Sequence, residues 1–301
     1  MYGLQKSSMM KNLIFITLIS LWPLNIYSEY TVNQPTELIN INEVSIAFTT
    51  AGEEENPSVL MIMGLMASHK VWGEEIVNGL VDSGYRVILF DNRDTGKSEN
   101  LDRLGKPNLY WKFAMSYIGV DFSSPYTLSD MALDGIGVLD HLGIEKAHIV
   151  GASMGGMIAQ TIASEFPERT RSLVSIMSTT GAPHLSQMSE RNQQNFNNSG
   201  GWDREAAHSY GFYPEAMPRQ VTAIWKAGDR TKQVSSIRVS TLVQHGINDT
   251  LLPPDHGEHT AELISNSKLK IYENMGHNLP PEVLPSVIED MINFFEEVGD
   301  V

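Results

Sequence analysis

The chain has 301 residues, 42% hydrophobic and 19% charged, which is enough for one large soluble α/β domain with a sizeable core. A formal net charge of −15 repels phosphate backbones and excludes nucleic acid as a partner. Without cysteine there can be no disulfide, thiolate metal site or cysteine nucleophile; no His, Asp and Glu cluster at ligand spacing and no phosphate-cradling glycine loop stand out, so neither a metal nor a cofactor is expected.

Residues 1–28 have the layout of a secretory signal peptide. Lys6 and Lys11 precede an apolar run from Leu13 to Leu24, and Ser28 offers a small residue before a cut. Pro23 and Asn25 interrupt the run, so no stable membrane span is expected once the leader is gone. The expectation is a secreted or periplasmic protein; the alternative is an uncleaved N-terminal membrane anchor.

Val44–Thr50 alternates and ends at Gly52, as an edge strand does. Val59–Met63 and Arg86–Phe90 are continuous apolar runs, typical of parallel strands buried on both faces. Between them, Val71–Val81 has helical spacing. Leu109–Phe122 is unusually aromatic, with Tyr110, Trp111, Phe113, Tyr117 and Phe122; packing over the sheet edge is the commoner role for such a density, and a substrate-pocket wall is the other. Thr127 followed by Asp130 marks a helix start, and Gly143 closes that helix. Ala147–Ala152, a helix from Met154 to about Phe166, and the strand Leu173–Met177 continue the alternation, which argues for a mostly parallel sheet with helices on both faces.

That alternation stops between Ser178 and Ile237. Asn192–Gly201 is polar and loop-like, and Trp202–Ala227 suits two short helices. We take 178–237 as a short cap inserted after the sixth strand, with 29–177 and 238–301 as the core. The sheet resumes at Thr241–His245 and Leu269–Tyr272, and an amphipathic helix from about Val283 closes the chain.

Three polar residues fall just beyond strands, where ligands bind in open α/β sheets: Ser153, Asp249 and His277. Ser153 lies in Gly151-Ala152-Ser153-Met154-Gly155, a G-x-S-x-G turn between strand and helix, which is the context of a nucleophile elbow. A serine hydroxyl needs an adjacent base, His277 has the chemistry to be that base, and Asp249 would orient it. Two backbone N–H groups would form the oxyanion hole: Met154, directly after the serine, and Leu65, after the strand that ends at Met63.

These residues, with Ile62-Met63-Gly64-Leu65, Asp91-Asn92-Arg93-Asp94-Thr95-Gly96-Lys97-Ser98, His245-Gly246-Ile247-Asn248-Asp249 and Gly276-His277, resemble the α/β-hydrolase superfamily, and within it small bacterial esterases of the aclacinomycin methylesterase type. The resemblance implies the α/β-hydrolase fold and a Ser-His-Asp triad. It departs at two places: Met63-Gly64 stands where many relatives have His-Gly, and Asp94 stands where many have the first glycine of Asp-x-Arg-Gly-x-Gly-x-Ser. Asp91 and Arg93 are assigned structural roles. The cap is short beside those of similar esterases, which suggests a more open site. The expected activity is cleavage of a small-molecule carboxylic ester through an acyl-enzyme on Ser153. The alternatives are a perhydrolase or haloperoxidase, a carbon–carbon bond hydrolase or a lyase on the same triad, and a non-catalytic binding protein on the same scaffold.

Overall fold

A computed structural model describes residues 30–192, 194 and 203–299. The leader expected over 1–28 and most of the loop expected over 192–201 lie outside the described residues. Eight strands form one sheet: β1 Glu37–Ile41, β2 Val44–Ala51, β3 Ser58–Ile62, β4 Arg86–Phe90, β5 Ala147–Ala152, β6 Thr170–Ile176, β7 Thr241–Gly246 and β8 Ser267–Tyr272. Their spatial order is β1-β2-β4-β3-β5-β6-β7-β8. The first two neighbour pairs are antiparallel and the other five are parallel. Every residue of β3, β4 and β5 is buried, because helices cover both faces.

The helices are α1 Glu74–Asp82, α2 Leu109–Tyr117, α3 Leu128–His141, α4 Met154–Glu165, α5 Arg204–Ser209, α6 Met217–Ala227, α7 Thr231–Val234, α8 Asp255–Leu263 and α9 Leu284–Val298. On one face α1 and α9 supply Ile76, Leu80, Val287, Met291 and Phe295 to a core shared with Met61, Leu89 and Val150. On the other, α3 and α4 supply Met131, Leu139, Ile158 and Ile162 to a core shared with Leu60, Ile88 and Ile149. Each strand thus sends alternate residues to opposite cores. Among the described residues, no helix is long and apolar enough to cross a membrane.

Three local expectations need correction. Val44–Ala51 is not the edge, because β1 pairs outside it; Asn42 and Glu43, both at positive φ (49° and 67°), close a two-residue hairpin whose turn carries no glycine to announce it. The helix expected over Val71–Val81 is split: a 3₁₀ turn at His69–Trp72 ends at Gly73, whose φ of 77° leaves helical space, and α1 starts after it. The aromatic stretch does form a helix, but α2 buries none of its own residues; Phe122 alone of the five aromatics is buried. α2 rests on α6 through Phe113, whose ring meets Trp225 edge-on at 5.5 Å.

Between β6 and β7 the chain passes through α5, a 3₁₀ turn at Pro214–Ala216, α6 and α7. Phe212 forms an isolated antiparallel bridge with Ala67, while Ala223, Val234 and Ile237 pack into the core beside α3 and α4.

The start of α3 is a capping box: Thr127 Oγ1 accepts from Asp130 N–H at 3.1 Å, and the Asp130 carboxylate accepts from Thr127 N–H at 2.7 Å. Thr127→Ala is expected to lower unfolding stability by about 1 kcal/mol, seen as a lower urea midpoint at unchanged slope.

Candidate active site

Ser153 sits between β5 and α4 with φ 56° and ψ −120°, a backbone conformation that disfavours an L residue by about 1–3 kcal/mol. The surroundings impose it. A Cβ on Gly151 would lie 2.1 Å from Gly155 O, and one on Gly155 would lie 2.0 Å from Ile62 O. Strand, helix and the end of β3 are therefore in backbone contact around the serine, and only glycine permits that approach. Ser153 N–H donates to Ile176 O at 2.9 Å, and Ser178 Oγ donates to Ser153 O at 2.8 Å. Behind α4, Arg230 donates to Met157 O, Gln160 Oε1 and Thr179 O; burial pushes its guanidinium down to about 10, so it stays charged at neutral pH.

The loops after β7 and β8 bring the other two polar residues to the same edge. His277 Nε2 lies 2.9 Å from Ser153 Oγ, and His277 Nδ1 lies 2.7 Å from Asp249 Oδ2. The structure thus joins Ser153, His277 and Asp249 in one hydrogen-bonded row, although 124 residues separate serine from histidine. The carboxylate fixes the tautomer: Nδ1–H donates to Asp249, which leaves Nε2 to accept a hydrogen bond from Ser153 Oγ.

Asp249 is buried, and its other oxygen accepts from Leu251 N–H and Leu252 N–H, each at 2.9 Å. His245 Nε2 stands 3.5 Å from Asp249 Oδ2 and donates to Leu252 O at 2.8 Å, bracing the loop. Burial pushes the Asp249 carboxyl up, but hydrogen bonds from His245 and His277 outweigh it and hold the group well below the ordinary carboxylate range. Asp249 is therefore ionised at neutral pH although buried.

Leu65 and Met154 flank the serine. Met154 is the first residue of α4, with its N–H at the positive end of the helix. Gly64 presses its loop on Ser153: a Cβ there would lie 3.1 Å from Ser153 Cβ and 3.2 Å from Ala152 O. Met66, Met217 and Val221 form a small apolar cluster on this flank, with Leu65, Leu109 and Trp225 against it.

Residues 57–210 match the model of the alpha/beta hydrolase fold family. The chain belongs to that family. This α/β hydrolase is 27% identical, over 295 residues, to rhodomycin D methylesterase from Streptomyces peucetius, covering 82% of this chain and 93% of the relative. It is 26% identical, over 273 residues, to 2-hydroxy-6-oxo-6-phenylhexa-2,4-dienoate hydrolase from Comamonas testosteroni, covering 79% of this chain and 86% of the relative. The crystal structure of the enol-lactonase from Burkholderia xenovorans LB400 superposes with a TM-score of 0.67 at 17% identity, covering 86% of this chain and 99% of that one.

The sequence placed His245 and Asn92 in motifs without giving them a role, and did not single out Ser178, Arg219 or Gln220, although all five support this hydrolase's site. His245 and Ser178 lie within a few residues of Asp249 and the end of β6, so proximity was a usable signal. Gln220 hydrogen-bonds across 154 residues and left no local signal.

Because the folded Asp249 carboxyl titrates below its unfolded value of about 4, it contributes stability that is complete above about pH 5 and is lost as the pH falls toward the native value. The urea midpoint of the parent protein is therefore expected to drop more steeply between about pH 5 and about pH 2 than that of Asp249→Asn, which has no such carboxylate to protonate.

Proposed function

We propose that the protein is a carboxylic ester hydrolase that works through an acyl-enzyme on Ser153. The observation that carries this reading is the row Ser153–His277–Asp249, with contacts of 2.9 and 2.7 Å, mounted on a strained turn. In this reading His277 Nε2 takes the serine proton as Oγ attacks the ester carbonyl. The tetrahedral oxyanion accepts hydrogen bonds from Met154 N–H and Leu65 N–H. His277 then gives its proton to the departing alcohol. A water follows the same route: His277 deprotonates it, it attacks the acyl carbon, and Ser153 leaves with the proton returned. Asp249 stabilises the imidazolium in both halves.

The apolar flank of Leu65, Met66, Met217 and Val221 favours an uncharged, apolar acyl or aryl group. The methylesterase relative supports an ester as the scissile bond. The dienoate hydrolase relative supports a second reading, hydrolysis of a carbon–carbon bond by the same row of residues. The segment 178–237 is the cap over the site in either reading, and residues 1–28 serve as an export leader or N-terminal anchor.

Fluorophosphonate labelling followed by mass mapping tests the reading, together with turnover of a p-nitrophenyl ester series. Label is expected on Ser153. Ser153→Ala is expected to lose the label and to lower ester hydrolysis by at least about 10⁴-fold. Label on another residue, or hydrolysis that survives in Ser153→Ala, would refute it; turnover of a dienoate ketone without ester turnover would decide for the second reading.

A further inference from the structure

We propose that Gln220 is a positioning residue for the oxyanion loop, and that the buried Asp94–Arg219 pair fixes it there. This rests on the ester-hydrolase reading above. Gln220 lies on α6, in the segment between β6 and β7, and is fully buried. Its Oε1 accepts from Met66 N–H at 2.7 Å and its Nε2 donates to Arg93 O at 3.2 Å, so both ends of the amide are engaged. Met66 directly follows Leu65, the assigned oxyanion donor, and has a φ of 62°, which a side chain disfavours. Its carbonyl accepts from Tyr213 N–H at 2.7 Å, and Ser68 N–H donates to Gly211 O at 2.8 Å. Met66 is thus held by the inserted segment at both its N–H and its carbonyl, and only the φ and ψ of Leu65 separate the Gln220-bound peptide from the donor N–H.

The neighbouring Arg219 explains why the clamp does not drift. Its guanidinium pairs with Asp94 through two hydrogen bonds of 2.9 and 2.7 Å, both side chains being buried. Tyr126 OH donates to Asp94 Oδ2 at 2.6 Å and Leu101 N–H donates to Oδ1 at 2.7 Å, which fills the remaining acceptor positions. Asp94 is the residue standing where similar sequences carry glycine, and its φ of 75° shows that the backbone there is still of the glycine type. Its side chain is kept against that preference and accepts from Arg219 on α6, from Tyr126 and from Leu101. Just before it, Asn92 Nδ2 donates to Met63 O at 2.8 Å. Three consecutive residues after β4 therefore contact the oxyanion strand end, Gln220 and Arg219. A buried bidentate ion pair fixes direction as well as distance, which an apolar contact of the same volume would not.

The test uses Gln220→Met, which keeps the volume and loses the acceptor, and Gln220→Glu, which keeps an acceptor oxygen. Each is assayed for kcat and KM on a p-nitrophenyl ester and for inhibition by a trifluoromethyl ketone, whose hemiketal oxyanion probes the hole. Gln220→Met is expected to lower kcat by roughly tenfold to hundredfold, with KM within about threefold and inhibitor affinity falling in step with kcat. Gln220→Glu is expected to recover most of the loss. Should Gln220→Met fail to fold, Asp94→Asn, read the same way, is expected to move kcat and inhibitor affinity together in the same direction. If kcat and inhibitor affinity stay at the parent level in these variants while Ser153 still labels, the positioning role is refuted. A parent protein that neither labels at Ser153 nor cleaves esters refutes the underlying reading instead.

An independent observation supports a second inference: the exposed face of α2 docks on an anionic phospholipid surface. Tyr110 is 92% exposed, Tyr117 83%, Ile118 68% and Trp111 65%. Half of the large exposed apolar residues of the described chain fall between Tyr110 and Val120, a concentration that scattered surface residues do not produce. From Arg103 to Val120 there is no acidic residue in a chain of net charge −15, and Lys106 and Lys112 lie in that stretch. Of the acids at its two ends, Asp121 pairs with Lys226, and Asp102 shares the Arg219 guanidinium with Asp94. Tyrosine and tryptophan beside lysine suit the headgroup region of a bilayer, whereas a second copy of this face would set like charges together.

Sedimentation of the full chain with phosphatidylcholine vesicles, with and without phosphatidylglycerol, tests this. The parent is expected to partition onto the mixed vesicles and to be released by salt; Tyr110→Ser/Trp111→Ser/Tyr117→Ser is expected to partition at least about tenfold less, with soluble-ester turnover unchanged. Equal partitioning of parent and variant refutes the assignment, as does a face whose loss changes only self-association.

Discussion

The backbone torsion of Ser153 is the constraint on which the rest of the structure depends. A residue with a side chain is held at φ 56° where β5 gives way to α4. It stays there because Gly151, Gly155 and the end of β3 leave no room for another path. The strain is affordable only because the strand before it and the helix after it are buried in two large apolar cores, one on each face of the sheet. The hydroxyl is therefore aimed by the core itself, while His277 and Asp249 arrive on loops that need only reach it.

Those loops are stiffened by polar contacts. Asp249 uses its inner oxygen on two backbone N–H groups and its outer oxygen on His277, with His245 buttressing from below. The result is a carboxylate that stays ionised although buried, hydrogen-bonded to the Nδ1 side of the His277 imidazole. The other side of the site is organised differently. There the loop after β4, the loop after β3 and the inserted segment share one buried polar junction, through Asn92, Arg93, Asp94, Arg219 and Gln220. The inserted segment is therefore tied into this polar junction.

The sequence reading was strongest where physics is local. Buried strands announced themselves as continuous apolar runs, and β4 was located to the residue. The α3 capping box was visible as Thr127 and Asp130, and the elbow as two glycines around one serine. It failed where the deciding partner is distant or a usual marker is missing. The β1–β2 hairpin turns on Asn42-Glu43 without glycine, so the edge strand was assigned one position inward. The aromatics of α2 suggested packing, yet burial depends on what lies opposite: α6 meets that helix at Phe113, while Tyr110, Trp111 and Tyr117 stay exposed.

Sequence by itself determined the fold class and which serine, histidine and aspartate deserve attention, because strand periodicity, glycine spacing and chain order are one-dimensional properties. Tertiary structure alone decided that Asp94 holds Arg219, that Gln220 holds the peptide beyond Leu65, and that α2 shows its aromatics to solvent. Each of these depends on surfaces brought together from more than a hundred residues apart or left uncovered by everything else, and no local pattern encodes which surface a folded chain will set opposite another.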